Sequence, residues 1–172
     1  MNNLLKMSLM AVTLGLGSTA VFATEERPAP DPDECNEGPC KGYIPIHVTV
    51  PKRCAVKVPK NPIILKDGET ETASFQVGAN ANYRLVVDTA NRLGAGATVE
   101  SEAKNGGNAV GIEVRTRKAG SPTVIQLNDP QVNTAPGPGG WNTYNVEVKS
   151  DYVGMSKPAG TYSDNYSITV SF

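Results

Sequence analysis

The sequence predicts an all-β protein, a sandwich or barrel. Two observations carry this. Short stretches of alternating apolar and polar residues recur at near-regular spacing with turn-forming clusters between them, and no 3.6-residue apolar period is found anywhere in the mature part. Helix formers are scarce there, whereas Gly, Pro, Thr and Val are plentiful, the composition of strands and turns.

The chain of 172 residues opens with MNNLLKMSLMAVTLGLGSTAVFA, one lysine (Lys6) and a short apolar run closing on Val21 and Ala23. Residues 1–23 are expected to be a secretory signal cut after Ala23, because the apolar run is too short to span a bilayer and no stop-transfer charges follow. Residues 24–42 form a polar arm with four prolines and several acids, without the apolar surface needed to fold alone. The domain is expected over 43–172.

Its first segment alternates strictly. Ile44, Ile46, Val48 and Val50 line one face of an extended stretch and Pro45, His47 and Thr49 the other. Further strands are expected at 54–58, 63–65, 72–77, 84–89, 98–101, 110–116, 123–127, 141–149 and 161–172. Turn signals separate them, KDGE, GANAN, NRLGAG, KNGGN, KAGSP and APGPGG. The closing strand is the most regular: Tyr162, Asp164, Tyr166, Ile168, Val170 and Phe172 share a face, and the sequence stops on an apolar residue of that row, which makes the terminus itself part of the sheet.

Charge and motifs exclude several function classes. The whole chain has 16 basic and 17 acidic residues, and losing Lys6 leaves a net charge of −2, without the positive surplus that nucleic acid requires. His47 is the sole histidine, on the outward face of the first segment, and no hydrolase, zinc-protease or phosphate-loop signature is present; no catalytic residue, cofactor or metal site is expected. Ser101 and Lys104, Ser163-Asp164-Asn165 and Lys118-Ala119-Gly120 imitate the three pieces of a serine β-lactamase in the wrong order and read as chance. Glu100 and Glu102 share a strand face without an aromatic cleft and read as solvated charge rather than a glycosidase pair. The sequon at Asn165 falls within a strand and reads as accidental. Trp141, beside PGPGG, is either a core ring at a strand start or a ligand-stacking ring, the former weighing more.

Cys35, Cys40 and Cys54 are an odd number in an export context that preserves disulfides. Cys35 and Cys40 flank NEGP, which suits a small closed loop; Cys54 is then free, or pairs with one of them. A structural disulfide outweighs zinc, since no fourth ligand is near.

IPIHVTVPKRC and PAGTYSDNYSITVSF together resemble the two ends of chaperone-usher pilin subunits, especially the spore coat protein U type of archaic fimbriae. Gly160, Tyr162, Asp164 and Phe172 fit that family's closing pattern. The resemblance implies an immunoglobulin-like sandwich lacking one strand, with Ile44, Ile46, Val48 and Val50 of a donor segment (43–51) filling a neighbour's groove. It further implies that the terminal strand, with Tyr162, Tyr166, Ile168, Val170 and Phe172, borders the groove and binds a periplasmic chaperone. An outer-membrane usher and neighbouring pilins are the other implied partners. The implied function is a structural fimbrial subunit, exported through the periplasm to the cell surface and supporting adhesion or biofilm formation. The alternatives are a minor or tip adhesin that uses the Trp141 loop and, less favoured, a self-contained secreted sandwich. The family's first cysteine usually bridges to the following strand, but SFQVGANANY offers Cys54 no partner there.

Overall fold

The computed structural model describes residues 38–58 and 62–172. The expected signal segment and most of the polar arm lie outside the described residues. The chain divides into two units, Met1–His47 and Val48–Phe172. Of the first, residues 38–47 are described, exposed and without regular secondary structure.

Among its described residues the second unit contains nine strands: β1 (Cys54–Lys57), β2 (Thr70–Ala79), β3 (Tyr83–Thr89), β4 (Glu100–Asn105), β5 (Asn108–Lys118), β6 (Val124–Ile125), β7 (Gln131–Thr134), β8 (Trp141–Ser150) and β9 (Tyr166–Ser171). All pairings are antiparallel. One sheet runs β1-β2-β8-β5-β4, with β6 on β5, and the other runs β7-β3-β9. The order β1-β2-β8-β5 is the A-B-E-D order of an immunoglobulin sandwich, and β3-β9 is its C-F pair. The position of strand G, beyond β9, holds no strand among the described residues. The fold is an immunoglobulin-like sandwich that is incomplete at that edge.

Alternation builds the core. Phe75 and Val77 of β2, Tyr144, Val146 and Val148 of β8, Val114 of β5 and Leu85 and Val87 of β3 turn inward with Leu127. Each such burial contributes about 1.5–3 kcal/mol. Phe75 and Tyr144 face each other across β2 and β8 with stacked rings, centroids 5.1 Å apart. Two hydroxyl contacts join the sheets through this core. The Tyr83 and Tyr144 hydroxyls lie 2.8 Å apart, with the Asn142 amide donating to Tyr83 at 2.8 Å, and Thr116 of β5 meets the Tyr166 hydroxyl of β9 at 2.7 Å. Burial pushes the phenol pKa of Tyr144 and of Tyr166 well above the ordinary tyrosine value.

Several expectations shift. Residues 63–65 are not a strand; Leu65 alone packs on the core, and Ile64 is exposed. The strand expected at 98–101 runs over Glu100–Asn105, fixed by pairing Asn105 with Asn108 across the two-residue Gly106-Gly107 turn. The strand at 123–127 shrinks to Val124–Ile125, and β7 is polar enough to escape the periodicity test. The last strand is regular only from Tyr166; before it, Ser163 makes a single bridge to Lys104. Trp141 is neither core nor open platform. It stands on the outer face of its sheet, over Gly78, where a Cβ would fall 2.8 Å from the ring, and the Lys57 ammonium lies 4.1 Å from its centroid.

Because the folded state keeps Tyr144 neutral, its stabilisation is intact below the unfolded value near pH 10 and lost above it. The unfolded chain then ionises while the folded one cannot, costing about 1.4 kcal/mol per pH unit for this group. The urea midpoint should therefore fall between pH 9 and pH 11; equal midpoints would contradict a neutral buried phenol.

Candidate functional site: the unpaired edge of β9

β9 pairs with β3 along its whole length, Tyr166 opposite Thr89 through Ser171 opposite Arg84. Its inward row is Tyr166, Ile168 and Val170, each packed on the core yet only half-buried, whereas Leu85 and Val87 on β3 are fully covered. The sequence differs little between the two rows; the missing neighbour accounts for the difference.

The other lip is β1, at the edge of the opposite sheet. Directly paired residues of an antiparallel ladder share a face. Val56 pairs with buried Val77, and Cys54 with buried Ala79, so both point to the core side. Both are nonetheless exposed, Val56 to 39%. Inward-facing residues on both edges thus lack full cover, which makes the strip between β1 and β9 a candidate groove.

The closing motif fastens the start of β9. The Asp164 carboxylate accepts from the Ser101 hydroxyl at 2.6 Å and from the backbone and side-chain N–H groups of Asn91 at 3.1 and 3.0 Å. It also accepts from the Asn165 N–H at 2.8 Å, while Thr89 donates to Ser101 at 2.8 Å. One side chain ties the end of β3, the start of β4 and the entry of β9. Tyr162 closes the preceding loop by donating to the Pro158 carbonyl at 2.9 Å, and Gly160 leaves room for the Asn105 amide, which a Cβ would strike. Two of the β-lactamase-like fragments are brought together here, but Ser101 is wholly buried among structural partners.

The remaining sequence-selected residues are placed as follows. Ile44, Ile46, Val48 and Val50 are 72–88% exposed, and residues 43–51 form no strand. Phe172 lies just past β9, 48% exposed, with the Lys52 ammonium 5.7 Å from its ring. Cys54 is free, Cys40 is disulfide-bonded, and Cys35 lies outside the described residues. Among the described residues no group of acids, cysteines and histidine is placed to hold a metal. Sequence reasoning missed Val56 and Asn91 as site residues; Val56 was legible as the continuation of the apolar row after Cys54.

Register shows where the bridge of Cys54 is lacking: the residue opposite is Ala79. Directly opposed antiparallel residues have Cα atoms about 4.5–5.5 Å apart, within disulfide range. Ala79→Cys should oxidise with Cys54 and raise stability by about 2–4 kcal/mol, read as a reductant-sensitive rise in the denaturant midpoint. Asp164→Ala should cost roughly 2–4 kcal/mol by stranding the buried Ser101 hydroxyl and the half-buried Asn91 donors, and a midpoint within error of wild type would remove the anchoring role.

No family model matches the chain, and no curated protein matches it. Among solved structures it is similar to the chaperone–tip adhesion subunit pre-assembly complex of the archaic chaperone-usher Csu pili of Acinetobacter baumannii, at 17% identity and a TM-score of 0.47. The likeness covers 72% of this chain, which spans 40% of the length of the one it matches.

Proposed function

We propose that the chain is a structural subunit of a surface fimbria, polymerised by donor-strand complementation. The observation that carries this reading is the uncovered groove between β1 and β9, with its half-buried row Tyr166, Ile168 and Val170. The same chain carries four exposed apolar side chains, Ile44, Ile46, Val48 and Val50, at the two-residue period a strand requires. An extended donor places a side chain on one face every ~6.6 Å, the period of the β9 row, and its backbone satisfies the unpaired edge. Covering four such side chains contributes roughly 6–12 kcal/mol before ordering costs.

The unpaired edge also calls for protection before assembly, since an open apolar strand edge is a template for aggregation. A periplasmic chaperone supplies a temporary strand and an outer-membrane usher exchanges it for the next subunit's donor segment. The finished fibre stands at the cell surface and serves adhesion or biofilm formation. Nothing in this arrangement calls for a catalytic group or cofactor. The tip-adhesin reading gains no support from Trp141, whose ring is covered by Lys57 and Gly78.

The mature chain, produced alone and with its cognate chaperone, tests the reading. Alone it should aggregate or form ladders of oligomers; with the chaperone it should give a soluble one-to-one complex. Equal, monomeric behaviour in both cases would sink the proposal. Val48→Asp places a charge among the donor knobs and should abolish polymerisation while leaving chaperone binding nearly intact. Its groove remains whole, so added to wild-type subunits it should shorten fibres by capping them.

A further inference from the structure

Residues 51–53, just ahead of β1, are tied to the body through one residue. Asn80, in the short connection between β2 and β3, makes three hydrogen bonds to residues 51–53. Its Oδ1 accepts from the Arg53 N–H at 2.7 Å, its Nδ2 donates to the Pro51 carbonyl at 2.9 Å, and its own N–H donates to the Arg53 carbonyl at 3.2 Å. An asparagine side chain that accepts and donates in this way mimics a strand partner where the ladder between β1 and β2 has already ended, at Cys54 opposite Ala79. A second tie comes from the other lip, where the Lys52 ammonium lies over Phe172. Beyond Pro51 the ties stop: no hydrogen bond involves Val48, Thr49 or Val50, and both valines are more than 70% exposed. Pro51 has no N–H and biases Val50 toward extended geometry.

We propose that Asn80 is a positioning residue for fibre assembly, a clasp that holds residues 51–53 on the body and so sets the point and direction in which the donor segment leaves it. This rests on the donor-strand reading above and adds to it the element that fixes the angle between successive subunits. With the clasp closed, the junction between one body and the next begins at Pro51. Without the side chain, Pro51 and Lys52 join the linker while the Asn80 N–H still holds the Arg53 carbonyl, adding ~7 Å of slack at about 3.3 Å per residue and loosening the junction. The clasp thereby converts a donor that merely binds into a connection of defined stiffness. Asn80 itself is exposed and belongs neither to the core nor to the row Tyr166, Ile168 and Val170, so its loss leaves those side chains in place.

Two readouts on the mature chain test this. In the chaperone complex, Asn80→Ala should lower amide-exchange protection of Arg53 about tenfold, the loss expected for one to two hydrogen bonds, while protection across β3 and β9 stays as in wild type. In fibres assembled with chaperone and usher, the same variant should reduce the persistence length to roughly half or less, as a lengthened flexible linker requires. Asn80→Asp keeps the Arg53 acceptor, loses the donor to Pro51, and should fall between the two. Gln76→Ala removes an exposed bond to Thr143 elsewhere on β2 and should leave stiffness unchanged, separating positioning from general stability. A variant that folds yet no longer polymerises supports the same role. If wild-type chains form no fibres, the donor-strand reading falls; if they do and Asn80→Ala fibres are equally stiff, the clasp alone is overturned.

Discussion

A β-sheet edge is a row of backbone donors and acceptors that must be paired, covered or left in water, and its inward side chains are sealed only if a neighbouring strand extends past them. In this sandwich β9 meets that requirement on one side only. β3 satisfies its inner edge; no strand among the described residues pairs with the outer one. The half-exposure of Tyr166, Ile168 and Val170, the exposure of Val56 on the opposite lip and the apolar groove between them all follow from that vacancy. Fill it with one extended strand and every one of these residues becomes an ordinary core residue.

An open sandwich of this kind needs its two sheets held together by something other than a complete core. The interior polar contacts supply it. Tyr83, Tyr144 and Asn142 bridge β3 to β8, and Thr116 with Tyr166 bridges β5 to β9, so hydroxyls join the sheets near the groove as well as far from it. Asp164 then fixes the start of β9 through Ser101 and Asn91. No buried side-chain polar atom among the described residues lacks a partner, which is the condition under which such a network rigidifies rather than weakens a fold. These contacts hold the strands that border the β9 edge in fixed positions.

How much of this the sequence discloses depends on whether a feature is local. The alternation in β2, β3, β5 and β8 marks them directly, because a face that is buried writes a two-residue period. Residues 63–65 mislead for the opposite reason: Ile63, Ile64 and Leu65 are apolar without alternating, and only Leu65 reaches the core. Residues 161–165 continue the period of β9, yet Asp164 spends its carboxylate on backbone and side-chain donors nearby, replacing ladder bonds with a local anchor. Gln131–Thr134 pairs with β3 at only two positions across a register shift, and its polar side chains carry no apolar period. The groove was legible only in part. The inward row of β9 is written in the sequence, but its lack of cover is a property of topology, and Asn80 and Ala79 acquire meaning only from register.

The exposed apolar face at Ile44, Ile46, Val48 and Val50 then has a physical rationale. Four large aliphatic side chains in water, on a segment with no strand pairing, are costly for a chain that ends its life as a monomer. They are tolerable where the exposed state is brief and a matching recess is available on an identical molecule. Pro45 weakens the segment as a partner for indiscriminate edge-to-edge pairing, since it removes one donor from the strand, while leaving the side-chain period intact. On the donor-strand proposal, such a segment directly ahead of a body with an open edge would make knobs and groove complementary between molecules, and a head-to-tail contact of that kind propagates into a fibre rather than closing into a dimer.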